Sequence, residues 1–314
     1  MTDKTPAQKD KRVNESFSKK IINSILIGSL IGLSYLPFWI LFGISDFFFF
    51  ILRYILKYRY KVISENLTRA FPEKTKIEIK AITNKFYHHF CDVFFETIKS
   101  YSISTKKMAK RMRFSNIELL NEQFNKGRSV IILGMHYNNW EWNNFLQFNC
   151  KHKVVVIYNP LRGNQAFENF LLKIRTRWGC KFVPVHKSRR IVFEIAKMEI
   201  PAALALGADQ TPPASSKLWT VFLNQETPFF SGPEKIAAHT NHPVFFHHTR
   251  KIKRGVYEVN FAPLFENPKE NKPNEILLSY TKKMEDIIRE EPAYYLWSHR
   301  RWKHTKPEDI DLIL

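Results

Sequence analysis

The stretch SVIILGMHYNNWEW, residues 129–142, sets an uninterrupted apolar run directly against a histidine, two asparagines, two tryptophans and a glutamate. A run such as Ser129–Leu133 reads as a buried strand, and open α/β sheets place their ligand groups where such strands end. His136 and Glu141 stand five positions apart, which in a continuous helix separates them by roughly 140°. They meet only if His136 closes the strand, Asn138 or Asn139 caps a helix, and Glu141 lies in its first turn, where the helix dipole favours a carboxylate. Held so, Glu141 would fix the imidazole tautomer and stabilise the imidazolium formed when His136 removes a proton. No serine or cysteine stands beside the pair, so such a dyad suits direct transfer with a substrate hydroxyl as nucleophile. The alternative is an ordinary capped strand-to-helix turn with a surface histidine.

Outward from this stretch the pattern alternates. Short β-rich apolar runs at Val130–Leu133, Lys153–Tyr158, Ala202–Leu206, Val244–His248 and Val256–Phe261 are separated by segments long enough for helices. That spacing predicts an α/β sheet with helical crossovers. Upstream, Pro72 ends a segment, and Thr75 to about Ser100 reads as an amphipathic helix with Ile79, Ile82, Phe86, Phe90, Phe94 and Ile98 on one side. Residues 21–45 carry no charged side chain. That is longer than the roughly 20 residues needed to cross a bilayer core, and too long for the apolar region of a signal peptide. Asp46 interrupts, and Phe47–Leu52 continue the run; basic residues flank both ends, leaving orientation and the choice between a span and a re-entrant segment open. The expected organisation is a basic tail over 1–20, a membrane anchor over 21–57 and one catalytic domain over 58–314. The chain of 314 residues carries 49 Lys+Arg against 29 Asp+Glu, a net +20, which points to anionic partners. Three widely spaced cysteines, Cys91, Cys150 and Cys180, form no metal or disulfide pattern and imply reduced thiols in a cytosol-facing domain.

The His-x-x-x-x-Glu stretch resembles that of the lipid A biosynthesis (late, secondary) acyltransferases of the lauroyl/myristoyl type. Six further blocks follow the family's order: ENLTRAFPE (65–73), VIYNPLRGN (156–164), KIRTRWG (173–179), GADQTP (207–212), PFFSGPEKIAAHTNHPV (228–244) and PAYYLWSHRRWK (292–303). The resemblance implies a glycerolipid-acyltransferase-like sheet flanked by helices, behind an N-terminal membrane helix. It implies transfer of a fatty acyl group from a thioester, usually on acyl carrier protein, to the hydroxyl of a 3-hydroxyacyl chain on a phosphorylated glycolipid acceptor. The implied setting is the inner membrane, with the catalytic domain facing the cytoplasm. His136 would be the general base and Glu141 its partner, with no metal, no further cofactor and no nucleic acid involved. Arg175, Arg177, Asp209, Gln210, Asn164, Arg162, Arg300 and Arg301 match the family blocks as substrate-binding candidates.

Two departures stand out. Asn159 follows Tyr158 where the family often has arginine, with Arg162 three residues on, and Ser231 is an addition to the Phe-Phe-Gly block. The plainer readings of the matched residues are a solvated basic helix face for Arg175 and Arg177 and a turn-forming role for Asp209. His239, His242, His247 and His248 lack a cysteine partner, and neighbours in a strand point to opposite faces, which argues against a zinc site. WSHRRWK interleaves aromatic and basic residues as single-strand nucleic-acid binders do, but beside a membrane segment it fits interfacial tryptophans and phosphate-binding arginines better. Two rival functions remain: acylation of another lipid, such as an aminolipid or a polyene pigment head group, and anionic-lipid or nucleic-acid binding without catalysis.

Overall fold

The computed structural model describes residues 17–314, so most of the expected basic tail lies outside the described residues. In chain order the elements are α1 (Phe17–Tyr35), α2 (Phe38–Phe50), α3 (Tyr60–Ala70), α4 (Lys76–Lys99), α5 (Thr105–Ala109), β1 (Met112–Phe114), α6 (Glu118–Asn125), β2 (Val130–Gly134), a 3-10 helix Trp140–Phe148 and β3 (Lys153–Tyr158). There follow α7 (Gln165–Thr176), β4 (Lys181–Pro184), α8 (Ser188–Ile195), β5 (Ala202–Gly207), β6 (Leu218–Phe222), β7 (Gln225–Phe229), α9 (Gly232–Thr240), β8 (Val244–Lys253), β9 (Val256–Phe265) and α10 (Glu275–Glu290). All five strands read from the apolar runs are present.

The main sheet has seven strands in the order β1-β9-β8-β2-β5-β3-β4, parallel at every pairing except β8 with β9. β2 sits between β8 and β5 and is buried along its whole length. This is why it reads as a continuous apolar run rather than an alternating one. Ile131 and Leu133 face a core layer that includes α3, α4 and α10 residues, while Val130 and Ile132 face Trp142 and Phe145 on the other side. All three cysteines are buried and free.

The 25-residue uncharged run is not one helix. α1 ends at Tyr35 and Pro37 stands at the N-cap of α2, because proline has no N–H to donate and its fixed φ suits a helix start. Among the described residues the stretch long and apolar enough to cross a membrane is Phe38–Ile55, which lies within the expected anchor over 21–57, and only 17% of it is buried within the protein. It includes a π-helical turn at Ile51–Ile55. α2 runs antiparallel to α4: Leu41 clusters with Phe95 and Ile98, Ser45 donates to Asp92 at 2.8 Å, and Arg53 donates to Asn84 at 2.8 Å. Asp46, the charge that interrupts the apolar run, is neutralised by Arg254 at 2.6 Å.

α4 begins where the sequence placed it, with Thr75 and Glu78 forming a reciprocal capping box. One member of its expected stripe differs, since Phe94 is 43% exposed. The C-terminal half of α4 packs on two sides, so Val93, Phe95 and Thr97 are buried in its place. The antiparallel pair β6–β7 was not expected. Its turn is Leu223-Asn224, both at positive φ (49° and 63°), without the Asn-Gly signal that usually marks such hairpins.

Candidate active site

β2 and β5 are parallel neighbours in register, with Gly134 opposite Gly207. Two residues beyond each glycine stand His136 and Asp209, so the sheet delivers both side chains to one edge at matching height. Asp209 uses both carboxylate oxygens on this one residue. Oδ1 lies 2.8 Å from His136 Nδ1, and Oδ2 accepts the His136 backbone N–H at 2.9 Å. A Cβ at Gly207 would lie 3.4 Å from the imidazole, in ordinary contact with it. Gly134 is constrained: a Cβ would sit 2.3 Å from the His247 ring.

Burial alone would lower the basicity of His136, but the Asp209 charge and hydrogen bond, with Glu141 beyond, raise its pKa above the usual 6.5. Burial likewise pushes Asp209 up, and the His136 contacts together with the Arg301 charge more than offset it, holding the carboxyl below its usual range. With the Nδ1 proton directed at Asp209, the Nε2 lone pair is left for other work. The Gln210 side-chain nitrogen stands 3.3 Å from Nε2, and the imidazole side chain is 26% exposed. Trp140 packs edge-on against the imidazole at 5.5 Å.

Glu141 lies where the sequence reading put it, in the first turn of a helix capped by Asn139, whose side chain accepts from Trp142 N–H. Its hydrogen bonds, however, do not go to His136. Arg175 on α7 grips both oxygens, with Nε at 2.9 Å and Nη2 at 2.6 Å. The expected His136–Glu141 contact is thus corrected: Asp209 holds the imidazole, and Glu141 acts on it only through its field. Burial raises the Glu141 carboxyl, but the Arg175 hydrogen bonds and charge prevail and keep it ionised. The physical reason is the fork of arginine, which matches a carboxylate at two points and outcompetes a single imidazole N–H.

A buried network supports this loop from behind. Glu96 on α4 accepts from Asn139 Nδ2 at 2.7 Å and from the Tyr257 hydroxyl at 2.8 Å, and its backbone carbonyl accepts from Trp142 Nε1 at 3.0 Å. Burial, with the nearby Asp92 charge, pushes the Glu96 carboxyl up to about 7. Nothing in the local sequence marks Glu96, since its partners lie 43 and 161 positions away.

The C-terminal segment clamps both loops. Leu296 N–H donates to the His136 carbonyl at 3.1 Å, and Asn138 N–H donates to the Tyr294 carbonyl at 3.0 Å. Thr211 N–H donates to His299 Nε2 at 3.1 Å, and the Thr211 hydroxyl donates to the carbonyls of Arg300 and Arg301 at 2.9 Å. Burial keeps His299 neutral, its pKa lowered to about 4.

The sequence matches bacterial lipid A biosynthesis acyltransferases over residues 9–304. The chain belongs to that family. It is an acyltransferase, and its family acts in lipid A biosynthesis. Among solved structures it is similar to the 1-acyl-sn-glycerophosphate (LPA) acyltransferase PlsC from Thermotoga maritima, with a TM-score of 0.36 and 14% identity over 79% of this chain and 95% of that one. No curated protein matches.

Within this acyltransferase the other expected binding residues divide. Gln210 joins His136 at the site, and Asn164 caps α7 while donating to Asn23 at 2.9 Å. Arg162 is exposed on the β3–α7 loop. Arg177 donates to the Ser100 carbonyl and stacks on Trp178, away from Glu141. Arg300 is exposed. Arg301 is fully buried, donating to the Pro228 carbonyl at 2.7 Å with its guanidinium over Phe229. It serves as an interior counter-charge to Asp209 rather than an open anion site. Arg175, expected to meet substrate directly, has its fork engaged by Glu141.

Proposed function

We propose that this enzyme transfers a fatty acyl group from an acyl thioester on acyl carrier protein to the hydroxyl of a 3-hydroxyacyl chain on a lipid A precursor at the inner membrane, with its catalytic face toward the cytoplasm. His136 is the general base in this reading. The observation that carries it is the two-point grip of Asp209, which directs the Nδ1 proton away from the site and leaves the Nε2 lone pair to accept. A substrate hydroxyl placed where Gln210 now reaches would lose its proton to Nε2 as its oxygen attacks the thioester carbonyl carbon. Collapse of the tetrahedral adduct breaks the carbon–sulfur bond, and the imidazolium returns the proton to the leaving thiolate, giving an ester and a free thiol.

Asp209 is the orienter in this scheme, and Glu141, fixed by Arg175, supplies a second negative charge that steadies the imidazolium. No nucleophilic side chain or metal is assigned a step. The strong basic excess supports an acidic donor protein and a phosphorylated acceptor. The test is a transfer assay with full-length protein in detergent, labelled acyl-acyl carrier protein, and acceptors with and without the 3-hydroxyl. Label should appear in the hydroxylated acceptor only, and His136→Ala should reduce it below about 1%, since general bases contribute roughly 10²–10⁴-fold. Equal label in both acceptors, or full activity in His136→Ala, would overturn the scheme.

A further inference from the structure

A second polar chamber lies on the same carboxyl edge of the sheet as His136. β8 runs past the end of β2, whose Leu133 pairs with Phe246, and carries on to Lys253. The β8–β9 turn thus projects beyond the sheet and packs beside α2 and α4. Between them is an open cavity of about 560 Å³ whose wall includes Lys85, His88, Asp92, Lys251, Lys253 and Arg254. That volume lies in the range of small-molecule sites.

The permanent charges in this wall are four cations against one carboxylate. Three further carboxylates stand just outside it: Asp46, paired with Arg254 and His88; Glu291, paired with Lys85 at 3.0 Å; and the buried Glu96, whose charge acts on Lys251. Asp46, His88 and Asp92 are close enough together to resemble a metal triad. Arg254 already holds both carboxylates, at 2.6 Å from each, so the trio is a guanidinium site. Lys251 and Lys253 differ from Arg254. The Lys251 ammonium donates to His89 Nδ1 at 3.1 Å and stays 3.9 Å from Asp92, so its donors are not exhausted. Burial pulls its pKa down, against the raising charges of Asp92 and Glu96 and with smaller lowering charges from Arg254 and Lys85. Lys253 is exposed and has no ion pair among the described residues.

The setting identifies the ligand class. Phe49 of α2 contributes to the wall, and next to it Phe47 and Phe50 are 63% and 53% exposed on the stretch that can cross a membrane. Tyr294, which closes the cavity, also accepts Asn138 N–H two residues after His136. We propose that this cavity binds the phosphate of a lipid whose chains lie along α2, with Lys251 and Lys253 as its principal contacts. Two lipids carry that chemistry here: the phosphorylated acceptor and an anionic phospholipid of the surrounding bilayer. The acceptor case rests on the function proposed above; the phospholipid case does not.

Native mass spectrometry of the full-length protein in neutral detergent tests this directly. Wild type, Lys251→Met and Lys253→Glu are titrated separately with phosphatidylglycerol, the bis-phosphorylated disaccharide acceptor, and diacylglycerol, which lacks phosphate. Lys253 is exposed, so Lys253→Glu should keep the wild-type melting temperature; Lys251→Met keeps the apolar stem but strands the buried His89 Nδ1, so its binding is read below its own, lower melting temperature. Loss of one charged contact should weaken a phosphate-bearing lipid about tenfold. Weakening confined to the acceptor assigns the cavity to substrate, weakening confined to phosphatidylglycerol assigns it to a bilayer lipid, and either supports the phosphate site. Unchanged binding of both, or equal weakening of diacylglycerol, overturns it. A His136→Ala protein should retain the binding; a wild-type chain that binds phosphate lipid without acylating a lipid A precursor refutes the proposed function and not this site.

Discussion

Asp209→Asn is the most revealing single change in the protein. Both oxygens of Asp209 are committed, one to the His136 backbone N–H at 2.9 Å and the other to Nδ1 at 2.8 Å. An asparagine has one oxygen and one NH₂ for these two places. The backbone N–H can only donate, so the amide oxygen must face it, and the NH₂ then points at Nδ1. Nδ1 is forced to accept, the ring proton moves to Nε2, and the base presents a proton where it needs a lone pair. Tautomer inversion of this kind costs about 10⁴ in kcat, about 5.4 kcal/mol of barrier. Asp209→Ala removes the charge but leaves the ring free to sample both tautomers, so its loss should be smaller than that of the near-isosteric amide. The assay is single-turnover acyl transfer at saturating donor and acceptor, with melting temperatures to confirm folding. If Asp209→Asn keeps more than a tenth of wild-type kcat, or clearly exceeds Asp209→Ala, Asp209 does not set the tautomer and the proposed roles fall.

Other consequences follow from the same geometry. A protonated imidazole cannot act as base, so kcat/KM should rise with pH through the raised His136 pKa, placing the acid limb above 6.5; Glu141→Gln removes one of the charges that raise it and should move the limb to lower pH, as a pH–rate profile would show. Glu96 has a folded-state pKa raised from 4.5 to about 7, so its stabilising contribution is full below 4.5 and is lost as pH rises through about 7. Thermal melts between pH 5 and 8 should therefore fall more steeply in wild type than in Glu96→Gln, whereas Glu96→Ala should lose roughly 1–3 kcal/mol for each buried donor it strands. The apolar stretch 38–55 should keep the chain in the membrane fraction through a high-salt wash, because apolar burial is not screened; release by salt alone would show attachment by charge.

Five strands of the main sheet were legible as apolar runs, whereas β1 and β4 are three and four residues long with one buried position each and were not. α4 was legible because Ile79, Ile82, Phe86, Phe90 and Ile98 recur at helical spacing after Pro72. His136, a cap at Asn138 or Asn139 and the place of Glu141 in the first helical turn also followed from local spacing; the structure places the cap at Asn139. The partnership of His136 did not, since Asp209 lies 73 positions away and only the parallel register of β2 with β5 brings them together. A trace of it was present: Gly-Met-His and Gly-Ala-Asp each follow an apolar run, with the polar residue at the same offset from glycine. Arg175 looked like a substrate ligand because a guanidinium suits phosphate as well as carboxylate, and sequence does not show which anion reaches it first. The break at Pro37 could have been read from the chain, but an absence of charge over 21–45 masks a helix boundary set by backbone chemistry.

Lipid A from cells in which His136→Ala replaces the wild-type chain is the most direct measure of the central claim. Mass spectrometry should find lipid A lighter by one acyl group, with the variant protein present in the membrane fraction at wild-type level. Re-expression of the wild-type chain should restore the missing group. Lipid A carrying its full set of acyl chains in the His136→Ala strain would contradict both the proposed acceptor and the proposed base.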